Sequence, residues 1–219
     1  MAFDRDRYLQ PSLLCDFDRS PAIRKKALAL TGGCRNRRQK FEKVCAFVKE
    51  LPYGLEDWDV KASQTLNKGW GMCSGKTNLL VAMLRSIGIP ARYRIYQLKA
   101  NMEVWRQAGR EMGRQGIAEE LGEIRDHVDC EALLGKWVDF DPGRDTAMEK
   151  GMLSLGMPLE RNKVTDAQGK VIYRSLAVFD EWARERQRRR KFRSGRTDIF
   201  ADINRGFEKL RQVGKITSH

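Results

Sequence analysis

Residues 69–90 leave the chain little choice of local structure. Gly69-Trp70-Gly71-Met72-Cys73-Ser74-Gly75-Lys76 is a glycine-punctuated run that leads directly into Leu79-Leu80-Val81-Ala82-Met83-Leu84. A helix apolar on every side has to be buried, so this segment predicts a central helix rather than a surface one. Gly88 closes it, and Ile89-Pro90 keeps it from continuing. The thiol of Cys73 therefore stands at the start of a buried helix, where unpaired N–H groups and the helix dipole favour an anion. A thiolate is the reactive form of cysteine, and positions of this kind lower a thiol's pKa.

The segments after this helix predict a sheet. Pro90-Ala91-Arg92-Tyr93-Arg94-Ile95-Tyr96-Gln97-Leu98 alternates as a strand does. Residues 100–125 are polar and helical in character with scattered glycines, and read as an insertion. Two more strands are expected at about 127–134 and 136–141, joined through Gly135. Ahead of the central helix, Ser20-Pro21 opens a helix that Gly32-Gly33 ends. A second runs from about Arg35 to Leu51, with Phe41, Val44, Cys45, Phe47 and Val48 at helical spacing. Residues 55–68 read as loop with a helical turn near Ala62. An edge pair is expected near 151–160 and 170–175, then two basic or amphipathic helices at about 176–192 and 197–212. Helices, a nucleophile helix, an antiparallel sheet and closing helices make an α+β order. We divide it into a domain over 1–175 and a basic helical extension over 176–219, packed on that domain or trailing from it.

Composition narrows the function classes. The 219 residues carry 41% hydrophobic and 32% charged side chains, which suits a folded, soluble globule. No stretch approaches the roughly 20 apolar residues of a membrane span, and the first residues carry no signal-peptide core. The five cysteines (Cys15, Cys34, Cys45, Cys73, Cys130) form no CxxC pair, which argues against a zinc ribbon or a dithiol redox site. A reducing, cytoplasmic setting suits them. The net charge of +13 is uneven, with twelve Lys or Arg against five Asp or Glu from Glu181 onward. The basic run Arg184–Arg196 could attract nucleic acid, although a solvated helix face is the more ordinary outcome for such a run.

A cysteine nucleophile needs a base within hydrogen-bond reach, and the base needs a group to orient it. The chain has two histidines, and His219 is its last residue, so His127 is the candidate base. The strand Gly135-Lys136-Trp137-Val138-Asp139-Phe140-Asp141-Pro142 supplies two carboxylates on one face, Asp139 and Asp141. Alternation does not choose between them.

Gly-x-Gly-x-Cys leading into Leu-Leu-x-x-Met-Leu-Arg-x-x-Gly-Ile-Pro-Ala-Arg (Gly69 to Arg92) resembles the core of the transglutaminase-like superfamily. His127-x-x-x-Glu131 and Gly135-Lys136-Trp137-Val138-x-x-Asp141-Pro142 match that family's next two blocks in order, and the similarity extends over roughly Tyr8 to Asp145. The resemblance implies a papain-like core with Cys73 as nucleophile, His127 as base and Asp141, rather than Asp139, as the orienting acid. It implies cysteine-dependent acyl transfer through a thioester, with hydrolysis of a peptide, isopeptide or side-chain amide expected ahead of cross-linking. An aromatic residue often follows the family's histidine, whereas Val128-Asp129-Cys130 stands here. The backbone N–H of Cys73 should serve the oxyanion; a side-chain donor is left open among Gln64, Trp70 and Tyr53.

No cofactor and no metal are expected, calcium included, since no acidic EF-hand-type loop is present. Gly69 and Gly71 lack the Walker spacing for nucleotide. Glu131 falls on the His127 face and is expected to accept hydrogen bonds near the site or to pair with a cation. Trp70 and Trp137 could wall a cleft or fill the core. The expected partner is a peptide or protein amide substrate, which the basic charge would allow to be acidic; nucleic acid through 184–196 is not favoured, and no membrane is expected. Two rivals remain: a non-catalytic protein of this fold binding nucleic acid or an acidic partner through its basic helices, and an acyl-CoA-dependent arylamine acetyltransferase.

Overall fold

The computed structural model describes residues 4–111, 115–192 and 197–216. Helix α1 (Pro21–Thr31) begins with its proline at the first position. Helix α2 (Arg37–Glu50) is capped by Asn36, whose side chain accepts from Gln39 N. The short α3 (Ala62–Lys68) ends at Gly69, and Cys73 opens α4 (Cys73–Ser86). Strand β1 (Ala91–Lys99) follows at once. The insertion forms α5 (Met102–Glu111) and α6 (Ile117–Leu121), and β2 (Ile124–Leu133) and β3 (Trp137–Phe140) complete the hairpin.

The last third departs from the expected edge pair. Residues 146–154 form helix α7 (Thr146–Ser154), because Asp145 caps it by accepting from Met148 N and because Met148 and Met152 recur at helical spacing on a buried side. Only the second half of the expected pair is a strand, β4 (Tyr173–Leu176), and its partner is β1 rather than residues 151–160. Helices α8 (Asp180–Phe192) and α9 (Thr197–Ile216) close the chain. The sheet is antiparallel in the order β3-β2-β1-β4.

Helix α4 is the axis of the core. Every residue from Cys73 to Arg85 is buried, because α1, α2 and α3 cover one side and β1 and β2 the other. Leu79, Leu80, Val81, Met83 and Leu84 are wholly shielded, each stabilising the fold by about 1.5–3 kcal/mol relative to exposure. The two cations on this helix survive burial by binding carbonyls alone. Lys76 Nζ donates to Lys49 O (3.1 Å), Leu51 O (2.6 Å) and Gly143 O (2.8 Å). Arg85 donates to Gln10 O, Ala91 O and Ala177 O at 2.6–3.0 Å. Each thereby ties the helix to segments distant in sequence.

Helix α9 lies against α7 at backbone contact. A Cβ on Gly151 would stand 1.8 Å from Leu210 O, and one on Gly214 would stand 2.0 Å from Ala147 O. Ile199, Ile203 and Phe207 join Met148 and Met152 in a second small core. Among the described residues, no helix is long and apolar enough to cross a membrane.

Candidate active site

The segment before α4 is shaped to bring Cys73 to a fixed place. Gly69 ends α3 with φ +72°, a left-handed conformation suited to glycine. The chain then pairs with residues 52–54, Gly54 N donating to Gly71 O (3.2 Å) and Gly71 N to Pro52 O (3.1 Å). Met72 N donates to Glu56 Oε1 (2.9 Å), and the same carboxylate pairs with Lys68. Gly75 lets that contact form, since a Cβ there would meet Glu56 Oε1 at 2.5 Å. Gly71 and Gly75 accommodate the Glu56 carboxylate rather than a phosphate.

Strand β2 delivers His127 and the turn after β3 delivers Asp141. Pairing sets His127 opposite Tyr96, Asp129 opposite Arg94 and Glu131 opposite Arg92. Glu131 and Asp129 are taken up by those arginines, at 2.7 Å in each case, and Ser175 also donates to Glu131. Asp139 goes to Arg94 (2.6 Å) and not to the histidine. It is Asp141 that meets the ring, His127 Nε2 lying 3.1 Å from Asp141 Oδ2, while Gly143 N donates to the other carboxylate oxygen (2.8 Å). Cys73 and His127 open on one cleft of about 920 Å³ and lie within electrostatic reach of each other. The structure thus brings together Cys73, His127 and Asp141, and leaves Asp139 and Glu131 in ion pairs along the sheet.

Arg161 is the residue that sequence reasoning missed. Its Nη1 lies 3.0 Å from Asp141 Oδ2, 3.0 Å from His127 Nε2 and 3.3 Å from His127 Nδ1. A guanidinium can only donate, so its contact with a ring nitrogen suits the neutral imidazole; once the ring is charged, Asp141 is the only partner left to it here. Nothing local in Leu159-Glu160-Arg161-Asn162 announces this. The position follows from backbone pairing with β1, through Lys99 N to Asn162 O (2.7 Å) and Val164 N to Gln97 O (2.9 Å).

Charge in the site is set by burial and by these contacts. Burial disfavours the imidazolium of His127, but Asp141 outweighs it, against Arg161 and with help from Cys73, and the pKa rises to about 9. Burial would raise Asp141; His127 and Arg161 instead hold its carboxyl well below the usual range. Burial pulls Lys76 down to about 7, opposed by Asp145 and Asp141. Among the other cysteines, burial pushes Cys15 up to about 11 and Cys45 and Cys130 well above their ordinary value. Cys73 is the cysteine that lines the cleft.

Of the three side chains left open as oxyanion donors, Tyr53 lines the cleft with Cys73. Burial pushes its phenol well up, so it stays protonated, and the nearby Cys73 adds to that shift. Gln64 accepts from Lys61 N at the start of α3 (2.9 Å), and Trp70 sits under Lys68. Trp137 packs on Tyr8 and Arg92; the tryptophans of the cleft wall are Trp58 and Trp105.

The closing helices hold the wall beside the thiol. Asn204 Oδ1 accepts from Leu55 N (2.6 Å) and its Nδ2 donates to Leu55 O (3.0 Å). Gln187 accepts from Trp58 N (3.0 Å). Arg211, buried, pairs with Asp145 (2.9 Å), which also accepts from Tyr53 N (2.9 Å). Within the basic run 184–196, Arg186 pairs with Asp126, and Arg188 and Arg189 with Glu185; the side chains from 190 to 196 lie outside the described residues. No group of three or more His, Cys, Asp or Glu among the described residues is arranged to hold a metal.

A family model described as the transglutaminase-like superfamily matches residues 24–142. Among solved structures, a Cytophaga hutchinsonii protein provisionally described as a cysteine protease is similar at 20% identity and a TM-score of 0.49. The match covers 80% of this chain and 52% of that one, so the chain spans about half its length. No curated protein matches.

Proposed function

Because the chain belongs to the transglutaminase-like superfamily, we propose that it is a cysteine-dependent acyl-transfer enzyme, with Cys73 as nucleophile, His127 as general acid and base, and Asp141 as the group that orients and charges the ring. The observation that carries this reading is the 3.1 Å contact of His127 Nε2 with Asp141, in the cleft that Cys73 lines from the start of α4. With Nε2 on the carboxylate, Nδ1, which also lies 3.3 Å from Arg161 Nη1, is the ring nitrogen that would serve the sulfur.

The thiolate of Cys73 attacks the carbonyl carbon of an amide. The oxyanion develops against the Cys73 N–H, a first-turn donor without an intrahelical partner, and against the Tyr53 phenol. The C–N bond breaks, and the imidazolium gives its proton to the leaving amine. Water then attacks the thioester, neutral His127 takes its proton, and a carboxylic acid leaves as the thiolate returns. We take hydrolysis of a peptide, isopeptide or side-chain amide as the reaction; an amine in place of water would give transamidation by the same steps.

Alkylation tests this directly. At neutral pH iodoacetamide, read by peptide mapping because Cys34 is also accessible, should modify Cys73 fastest in the wild type and at least tenfold more slowly in His127→Gln. A nitrophenyl ester should leave an acyl adduct on Cys73 in the intact mass. A Cys73 that resists both reagents, together with an activity that survives Cys73→Ala, would refute the proposal.

A further inference from the structure

The cleft is short of anions. Its wall is apolar over α7 and α9, with Met148, Met152, Phe200, Phe207 and Leu210 among the lining residues, and Trp105 faces the same space. Five arginines line it as well, Arg125, Arg144 and Arg161 on the side of His127 and Arg186 and Arg189 on α8. Arg125 donates from Nε to Gly122 O (3.1 Å) and lies 4.5 Å over the Trp105 ring, yet its Nη2 is buried without a partner. Arg144 reaches Met152 Sδ (3.5 Å) and Leu159 O, yet its Nε is buried without a partner. Neither has a carboxylate in ion-pair range among the described residues.

Both side chains are half-buried, and a guanidinium nitrogen shielded from water is ordinarily paired, because an unsatisfied shielded donor is costly. The acids of the wall do not fill that role. Asp126 is held by Arg186 and Asp141 by His127 and Arg161, while Glu160 is exposed. Of Arg125, Arg144 and Arg161, the last is within electrostatic reach of the thiol itself. Tyr53 is within electrostatic reach of Cys73, Arg125, Arg161 and Asp141, and Arg144 within reach of Arg161, Asp141 and Tyr53.

We propose that Arg125 and Arg144 form a carboxylate-binding subsite, so that the acyl donor taken by this cleft combines an apolar or aromatic body with a carboxylate group. This rests on the reading of Cys73 as nucleophile and names the substrate class for that site. Two donors share the chemistry: a peptide ending in an apolar residue with its free carboxylate, and a peptide carrying an acidic side chain. The guanidinium plane suits a carboxylate, which it can bind through two parallel N–H bonds. The apolar wall and Trp105 take the body of the ligand.

The test measures binding apart from chemistry. Full-length Cys73→Ala protein is titrated calorimetrically with N-benzoylphenylalanine against its amide, for the chain-end source. N-benzoylglutamic acid α-amide against N-benzoylglutaminamide covers the side-chain source. At least one acid should bind tenfold or more tighter than its neutral partner, and Arg125→Gln and Arg144→Gln should each erase most of that preference while leaving the neutral ligand's affinity within about threefold. The neutral ligand reports whether the pocket still forms, and the wild-type arginine comparison stands even where a variant misfolds. Equal affinity within both pairs overturns the inference and leaves the proposed function untouched. A preference for the acid alongside an unreactive Cys73 in the wild type overturns both, because the subsite would then serve no acyl donor.

Discussion

Asp141→Asn isolates the interaction on which the site depends. At 3.1 Å and an effective dielectric of about 20, the gross attraction between Asp141 and a charged His127 is about 5 kcal/mol. Burial and Arg161, which lies 3.0–3.3 Å from the ring nitrogens, oppose it. A pKa of about 9 against the ordinary 6.5 corresponds to a net of about 3 kcal/mol in favour of the charged ring, so the carboxylate wins, but not by its full strength. Without it, burial and Arg161 are opposed only by the smaller effect of Cys73, and His127 should titrate below its ordinary 6.5, more than two pH units lower than in the wild type. Only two histidines are present, so labelled-histidine NMR follows the ring directly.

The same shift sets a pH dependence of stability. His127 has a raised pKa in the fold, so its contribution is complete below about 6.5 and is lost as pH rises through about 9. Lys76 acts the other way: held down to about 7, it makes stability rise with pH between there and its ordinary 10.5. The wild-type profile therefore mixes two opposed slopes, and the difference between wild type and Asp141→Asn is the informative quantity. It should shrink by about 1.4 kcal/mol for each pH unit between pH 6.5 and 9, measured by urea unfolding. A His127 titration unchanged by the substitution, or a stability difference flat across that range, would refute the reasoning.

Other perturbations test other parts. Tyr53→Phe should lower kcat about 10²–10³-fold with KM nearly unchanged if the phenol serves the oxyanion, as steady-state kinetics on an activated ester would read. Lys76→Met leaves three carbonyls, one buried and two partly buried, without this donor and should cost about 3 kcal/mol in urea unfolding. Gly214→Ala puts a methyl against Ala147 O across the α7–α9 contact; a loss near the top of the overpacking range, about 3 kcal/mol, would lower Tm by about 6–12 °C. Asn204→Ala frees both backbone groups of Leu55 and should speed hydrogen exchange there while α4 stays protected.

The parts of the fold legible in the sequence are those where local pattern and burial agree. An apolar run ending at Gly88 could only be a buried helix, and alternation from Ala91 to Leu98 could only be a half-buried strand; both are found within a residue or two. Residues 151–160 misled because they hold few charges and no strong period, and the deciding signal was a cap at Asp145 together with a face that exists only once α9 covers it. The same limit explains the site. His127 stands out because the chain has so few histidines, and Asp141 is preferred to Asp139 only through the family resemblance, whereas Arg161 and the clamps Gln187, Asn204 and Arg211 act across 34 to 158 positions of sequence. Contacts of that span leave no mark on local pattern.

That division has a consequence for how the protein would acquire specificity. Cys73, His127 and Asp141 all fall within the stretch that matches the family, residues 24–142. Arg144, Arg161, the apolar faces of α7 and α9, and the side chains that clamp Leu55, Trp58 and Tyr53 all fall beyond it. The proposed reacting groups thus sit on the buried helix and the sheet, and about half of the residues that line the cleft come from the closing third of the chain, while Trp105 and Arg125 lie within the matched stretch. Arg161 joins the two, since it is carried on the second part and bound to the acid of the first. A bound carboxylate that drew Arg161 away from Asp141 would remove the cation that lowers the pKa of His127. Occupancy of the cleft would then favour the charged ring, and an acidic donor should raise the pKa of His127 in the same NMR titration, where its neutral amide should not.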